Sequence, residues 1–265
     1  MSKGIYLFCM TPKNASLKVE GAGLDGTHPL ETLEGDDIIA VFSEVSLEDF
    51  CGKEAREKLA DLAWVAPRAI RHEDVIMGVM RQALVLPVRF GSVFSSKSVL
   101  ESLLRQHREA LLKFFIDTDC QKEWNLKAYV NMPQTRLRIM ESRLAAAKEQ
   151  LDGLSPGIRY FQEQKIKGAM EHEVASWLKE RAEALLISIK DVSSAFCECH
   201  LLSTELTGDD EMFFNAALLV PDRSEVQLQQ IMTEWSARHE SMGLHFESLG
   251  PLPPYHFTPA LDMKV

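Results

Sequence analysis

The sequence predicts an α+β protein of two domains with ferredoxin-like (split βαβ) elements, the second carrying a long helical hairpin, plus a proline-rich C-terminal tail. Three observations carry this. Short apolar runs at 5–10, 212–220 and 244–249, and the alternating apolar face of 124–130, read as strands. Between the runs apolar residues recur at three- and four-residue spacing, the period of a helix. In the second half the order reads β-α-α-β-β-α-β, the split βαβ order with its first helix doubled. A polar break over 117–121 is the natural boundary. It gives an N-terminal domain over 1–120, a C-terminal domain over 121–250, and an extended tail over 251–265.

In order along the chain, Ile5, Leu7 and Cys9 alternate with Tyr6, Phe8 and Met10 in a strand buried on both sides. Residues 30–33 and 37–45 flank Gly35-Asp36 as a hairpin. Ser46-Leu47-Glu48-Asp49 has the character of a capping box, with Asp in place of the usual Glu or Gln. Ala55, Leu59, Leu62 and Ala66 have helical spacing. Pro67 suits a first helical position, where its missing N–H is no loss. His72, Ile76, Val79 and Ala83 then share one inward stripe, on which His72 reads as a hydrogen-bonded core residue. The run VLPVRF holds Pro87, which cannot donate to a ladder and marks an edge strand. Gly91 allows a tight exit, and Ser95, Ser96 or Ser98 can cap the next helix. Leu100, Leu103, His107, Leu111 and Phe114 form that helix.

The second half opens on EWNLKAYV, with Trp124, Leu126, Ala128 and Val130 on one face. Leu137, Met140, Leu144, Ala147 and Leu151 repeat at coiled-coil spacing. DGLSPG over 152–157 turns the chain. A helix of roughly 50 Å follows, from about residue 158 to about 192. It carries Phe161, Met170, Val174, Trp177, Leu178, Leu185, Ile189 and Val192, and outruns a small sheet, so it pairs with its predecessor as a hairpin. Two more apolar runs join through a turn at Gly208-Asp209-Asp210. Asp222 with Glu225 caps a helix that turns Leu228, Met232, Trp235 and His239 inward. The tail GPLPPYHF cannot be helix or central strand and should lie extended as a strap or docking segment.

The net charge of −10 and a pI near 5.3 argue against a nucleic-acid surface, which needs a clustered basic field, and make an anionic membrane a poor partner. No run of about 20 apolar residues predicts a membrane span. MSKGIYLFCM reads as a first strand and not as a signal peptide, so the expected location is cytoplasmic. Five cysteines at scattered spacing predict no disulfide framework. Cys197-Glu198-Cys199-His200 has C-x-C spacing, unlike zinc sites, and reads as two small core residues on one strand face. Gly21, Gly23 and Gly26 match G-x-G-x-x-G formally. They lack the preceding strand and following helix that phosphate binding needs, and read as a flexible loop. No catalytic residue, metal ligand or cofactor site can be assigned.

Five stretches in order carry a resemblance: WVAPRAIRHEDVI…LPVRFGSVF (64–94), EWNLKAYV (123–130), SPGIRYFQEQK (155–165), FFNAALLVPD (213–222) and GPLPPYHF (250–257). Together they resemble the gas vesicle protein F/L family (GvpF/GvpL). Leu252 stands between two prolines where that family has Trp. The resemblance implies an accessory or minor structural component of gas vesicles, which binds the shell protein GvpA, alone or with other Gvp proteins, and assists nucleation and assembly. It implies no enzymatic activity and no cofactor, and a cytoplasmic place associated with the vesicles. The family-motif positions and candidate partner contacts are His72, Pro87, Arg89, Phe90, Gly91, Glu123, Trp124, Pro253, Pro254 and Tyr255. The alternative from residue chemistry alone is a small-molecule- or metal-binding ferredoxin-like protein or enzyme, drawing on His72, Arg89, Cys197, Cys199 and His200.

Overall fold

The computed structural model describes residues 3–13, 17–203 and 210–261. It has two compact units, one made of Met1–Glu123 with Pro251–Val265, the other of Trp124–Gly250. The tail is therefore part of the first unit. Gly208 and Asp209 of the expected turn lie outside the described residues.

In the first unit, β1 (Lys3–Pro12) sits between β3 (Ile38–Ser46) and the short β4 (Leu86–Pro87), with β2 (Leu30–Glu34) beyond β3. A further short strand, β5 (Val93–Phe94), also pairs with β1. Helix α1 (Lys53–Ala60) and α2 (Leu62–Met80) follow β3; α3 (Lys97–Gln106) and α4 (Arg108–Asp117) follow β5. The sheet is covered on both faces. Ile5, Leu7 and Met10 pack with Leu100, Leu104, Leu111 and Phe115 of α3 and α4. Tyr6, Phe8 and Cys9 pack with Ile76 and Val79 of α2. This corrects simple alternation. A register shift between Leu7 and Cys9 puts Phe8 and Cys9 on the same side and returns Met10 to the other.

Helix α2 begins five residues before Pro67. Asp61 accepts a hydrogen bond from the Ala63 N–H at 2.9 Å and caps the helix there. Pro67 is thus internal, where its ring crowds the preceding turn. The Arg68 guanidinium stacks 4.0 Å over Trp64 and donates to the Trp64 carbonyl at 2.9 Å, engaging a backbone acceptor beside the proline. Ser46 makes no side-chain cap; a single 3-10 turn, Leu47–Asp49, stands where the capping box was expected. Ser96 caps α3 through the Val99 N–H. The helix expected through His107 is two, α3 and α4, broken at that residue. The glycine loop is pinned and not loose. Leu24 N–H donates to Ser43 Oγ at 3.3 Å, and a Cβ on Gly23 would stand 2.2 Å from the Ser43 Cβ.

In the second unit, β6 (Gln121–Val130), β7 (Ala195–Glu198), β8 (Glu211–Pro221) and β9 (Leu244–Leu252) lie in the order β7-β8-β6-β9. Trp124, Leu126, Ala128 and Val130 are all buried, as alternation requires. They pack with Leu228, Met232 and Trp235 of α7 (Glu225–His239) and with Leu185 and Ile189 of α6 (Pro156–Lys190). No side-chain cap forms at Asp222 or Ser224; a 3-10 turn, Asp222–Ser224, leads into α7. Helix α5 (Met132–Asp152) packs on α6 through Ile139, Met170 and Val174. Of the expected seam, Met140 packs in this cluster and Leu144 and Ala147 are half-buried, but Leu137 is exposed, and Thr135 and Ile139 are buried in addition. The side chain of Leu151 lies outside the described set. Phe161 is 69% exposed and lies off the inward stripe. Cys197 lies in β7 and Cys199 just beyond its end; both are half-buried, so they are not core residues.

A hydrogen-bonded centre and its strap

The deepest polar group in the first unit is His72. Its Nε2 lies 3.0 Å from the Val88 carbonyl, which can only accept, so Nε2 carries the hydrogen. Nδ1 is then an acceptor, and Tyr6 O–H donates to it at 2.9 Å. Tyr6 oxygen in turn accepts from the Gly91 N–H at 3.2 Å. One chain of bonds joins β1, α2 and the segment from Val88 to Gly91. Phe8, Phe50 and Phe90 close aromatic contacts around the Tyr6 ring. Burial disfavours the charged imidazole, and the His72 pKa falls from 6.5 to about 4. Burial likewise pushes the Tyr6 and Cys9 groups up.

This has a consequence for pH. The unfolded chain takes up a proton on His72 below about 6.5, the folded one only below about 4. Stability from a neutral His72 is complete above 6.5 and is lost as pH falls through that window, by about 3 kcal/mol in all. The stability difference between the native protein and a His72→Leu variant should therefore shrink as the pH of urea titrations is lowered from 6.5 to 4. A pH-independent difference would count against a neutral buried His72.

After Gly250 the chain returns to the first unit. Pro253 and Pro254 are buried, and a 3-10 turn, Tyr255–Phe257, replaces the extended conformation expected there. Tyr255 O–H donates to Glu73 Oε2 at 2.9 Å, and its ring joins the cluster around Tyr6 and Phe8. The Glu123 carboxylate is 1% exposed; it accepts from the His256 backbone N–H at 2.9 Å and pairs with His256 Nδ1 at 2.7 Å. Burial raises the Glu123 pKa, against the two His256 bonds, which lower it.

The motif positions thus fall into three groups. His72, Phe90, Gly91 and Tyr255 gather around Tyr6. Glu123 anchors the strap made by Pro253, Pro254 and Tyr255. Trp124 lies in the second unit, its ring against Gly250, where a Cβ would come within 2.5 Å of the indole. Gly250→Ala should lower stability by about 1–3 kcal/mol by overpacking, read as a shift in the urea midpoint. Of the ten, Arg89 and Gly91 are exposed, Phe90 and Tyr255 are half-buried, and the rest are buried. Sequence reasoning overlooked Tyr6, Glu73 and His256 as partners. Tyr6 carried a signal: a tyrosine inside a doubly buried strand needs a partner for its hydroxyl. Among the described residues, no group of three or more His, Cys, Asp and Glu side chains is placed to hold a metal ion. No described helix is long and apolar enough to cross a membrane.

The class these features define is an α+β scaffold whose buried polar groups bind one another. The chain belongs to the gas vesicle synthesis protein GvpL/GvpF family, whose profile matches residues 4–259. It is 26% identical to gas vesicle protein L of Streptomyces sp. (strain CB03234) over 257 residues, 95% of this chain and 91% of that one. It is 24% identical to gas vesicle protein F of Dolichospermum flosaquae over 87% of each chain. Its fold is similar to the crystal structure of GvpF from Anabaena sp. PCC7120, with a TM-score of 0.71, 21% identity, and 98% and 99% of the two chains covered. GvpF from Microcystis aeruginosa gives 0.66, 20%, and 97% and 99%.

Proposed function

We propose that this chain is an accessory or minor structural component of gas vesicles that binds the shell protein GvpA and assists vesicle nucleation and assembly in the cytoplasm. The observation that carries the reading is the family match across residues 4–259, which spans both units and the strap. The physics is consistent with it. A shell protein that exposes apolar surface before assembly needs a partner to cover it. The chain acts by binding, with no chemical step. We read the second unit as ferredoxin-like, since its four strands in chain order occupy the sheet order β7-β8-β6-β9. The candidate contacts with exposed surface are Arg89 and Gly91, with Phe90 beside them at the edge strand β4.

The test is a strain lacking this gene, examined by electron microscopy, together with co-purification of GvpA on the full chain. Absent or arrested vesicles and retained GvpA support the reading. Normal vesicles, with GvpA no better retained than on an unrelated acidic protein, overturn it.

A further inference from the structure

Cys197 and Cys199 have no part in the proposed role, and their placement is informative in three respects. The first is direction. Cys197 lies opposite Ala217 in the ladder of β7 with β8, and the Cys199 N–H donates to the Asn215 carbonyl at 2.9 Å. The pairing therefore continues in register one residue past the end of β7. Residues two apart in extended chain project to the same side. Glu198 and His200 alternate with the cysteines and are exposed, while both cysteines are half-buried. The second is where the sulfurs lie. Cys197 Sγ is 3.6 Å from the Glu198 carbonyl oxygen, and Cys199 Sγ is 3.7 Å from the Cys197 carbonyl oxygen. Both carbonyls belong to the two peptide units between the cysteines, so each sulfur leans back over the stretch that separates them. The third is access. β7 is an edge strand, and Cys199 lines a solvent-open cavity of about 270 Å³ with Leu201, Phe213 and Phe214.

Two thiols so placed are poorly set for a disulfide. Like-facing neighbours on a strand stand roughly 6.5–7 Å apart at Cα, and about as far at Cβ. A disulfide needs its Cβ atoms about 3.8 Å apart, so closing one would break the end of the strand. A metal ion held between the sulfurs asks less. Two bonds of about 2.3 Å span roughly 4.6 Å from sulfur to sulfur, within reach of side chains that already lean inward. Zinc takes four ligands, and among the described residues no group of three or more His, Cys, Asp and Glu side chains is placed to hold a metal. Two thiolates alone suit a soft ion content with few ligands, and copper(I) is that ion.

We propose that Cys197 and Cys199 form a two-thiolate site for copper(I) at the edge of the second unit's sheet. On binding, each thiol gives its proton to solvent and two copper–sulfur bonds form, with no change of oxidation state. The cavity beside Cys199 is the path by which the ion enters. The inference is independent of the proposed role in assembly.

The test is an anaerobic titration of the full chain with copper(I), supplied as its complex with a coloured competing chelator. Cys51→Ser and Cys120→Ser are made first, which removes the two exposed thiols and keeps the pair. This chain should bind one copper(I). Adding Cys197→Ser or Cys199→Ser should each weaken binding about a hundredfold or more, because the second thiolate acts at the high effective concentration of a linked ligand. Zinc(II) in excess should leave the copper in place. A second measurement needs no variant: in the native chain, copper(I) should protect Cys197 and Cys199 together from alkylation, read by peptide mass spectrometry. Binding no tighter than that of the single-thiol variants overturns the proposal. So does alkylation indifferent to copper(I), or a disulfide between Cys197 and Cys199 forming in the folded protein with oxidised glutathione.

Discussion

Replacing His72 with alanine should destabilise the protein by about 3–5 kcal/mol, because the change opens a cavity beneath Phe8 and strips partners from two buried groups at once. The Val88 carbonyl loses its donor and the Tyr6 hydroxyl loses its acceptor. Chemical denaturation measures the loss. Tyr6→Phe removes only the hydroxyl, leaving His72 Nδ1 and the Gly91 N–H unpaired, and should cost about 1–3 kcal/mol. The two substitutions act on one chain of bonds, so the double variant should cost less than their sum. Strict additivity would mean that the bonds joining β1, α2 and the Val88–Gly91 segment do not work as a unit.

Ending the chain at Leu252 should have an effect of similar size, about 3–5 kcal/mol, because it leaves Glu123 buried with neither of its His256 donors. The Tyr255 ring and the two buried prolines are lost with it. Replacing His256 alone with alanine keeps the backbone N–H bond to Glu123, so it should cost only about 1 kcal/mol. Thermal melts of the three proteins give the order. A truncated chain as stable as the full one would show that the strap rests on the first unit without holding it.

Much of this architecture was legible from residue patterns. The face of β6 bearing Trp124, Leu126, Ala128 and Val130 is buried as alternation requires, because a strand with one packed side admits no other register. Leu228, Met232, Trp235 and His239 of α7 turn inward for the equivalent reason in a helix. His72 read correctly as a bonded core residue from its place beside Ile76 and Val79. Local competition was less legible. Pro67 looked like a helix start, but the Asp61 cap lies upstream and the neighbouring turns gain enough from packing to carry an internal proline. The shift at Leu7 and Cys9 left no mark in a run where every residue is apolar or aromatic.

What the sequence determined by itself was the order of the main strands and helices, since periods of 2 and 3.6 follow from backbone geometry alone; the break at His107, the short β5 and the 3-10 turns it did not give. It also carried the family, through motifs spread over the whole chain. Only the tertiary structure decided which polar groups meet: Tyr6 with His72 across 66 positions, Glu123 with His256 across 133, Tyr255 with Glu73 across 182. No local rule links residues so far apart. Those pairings exist because each group, once buried with its element, must find a partner or bear the full cost of leaving water.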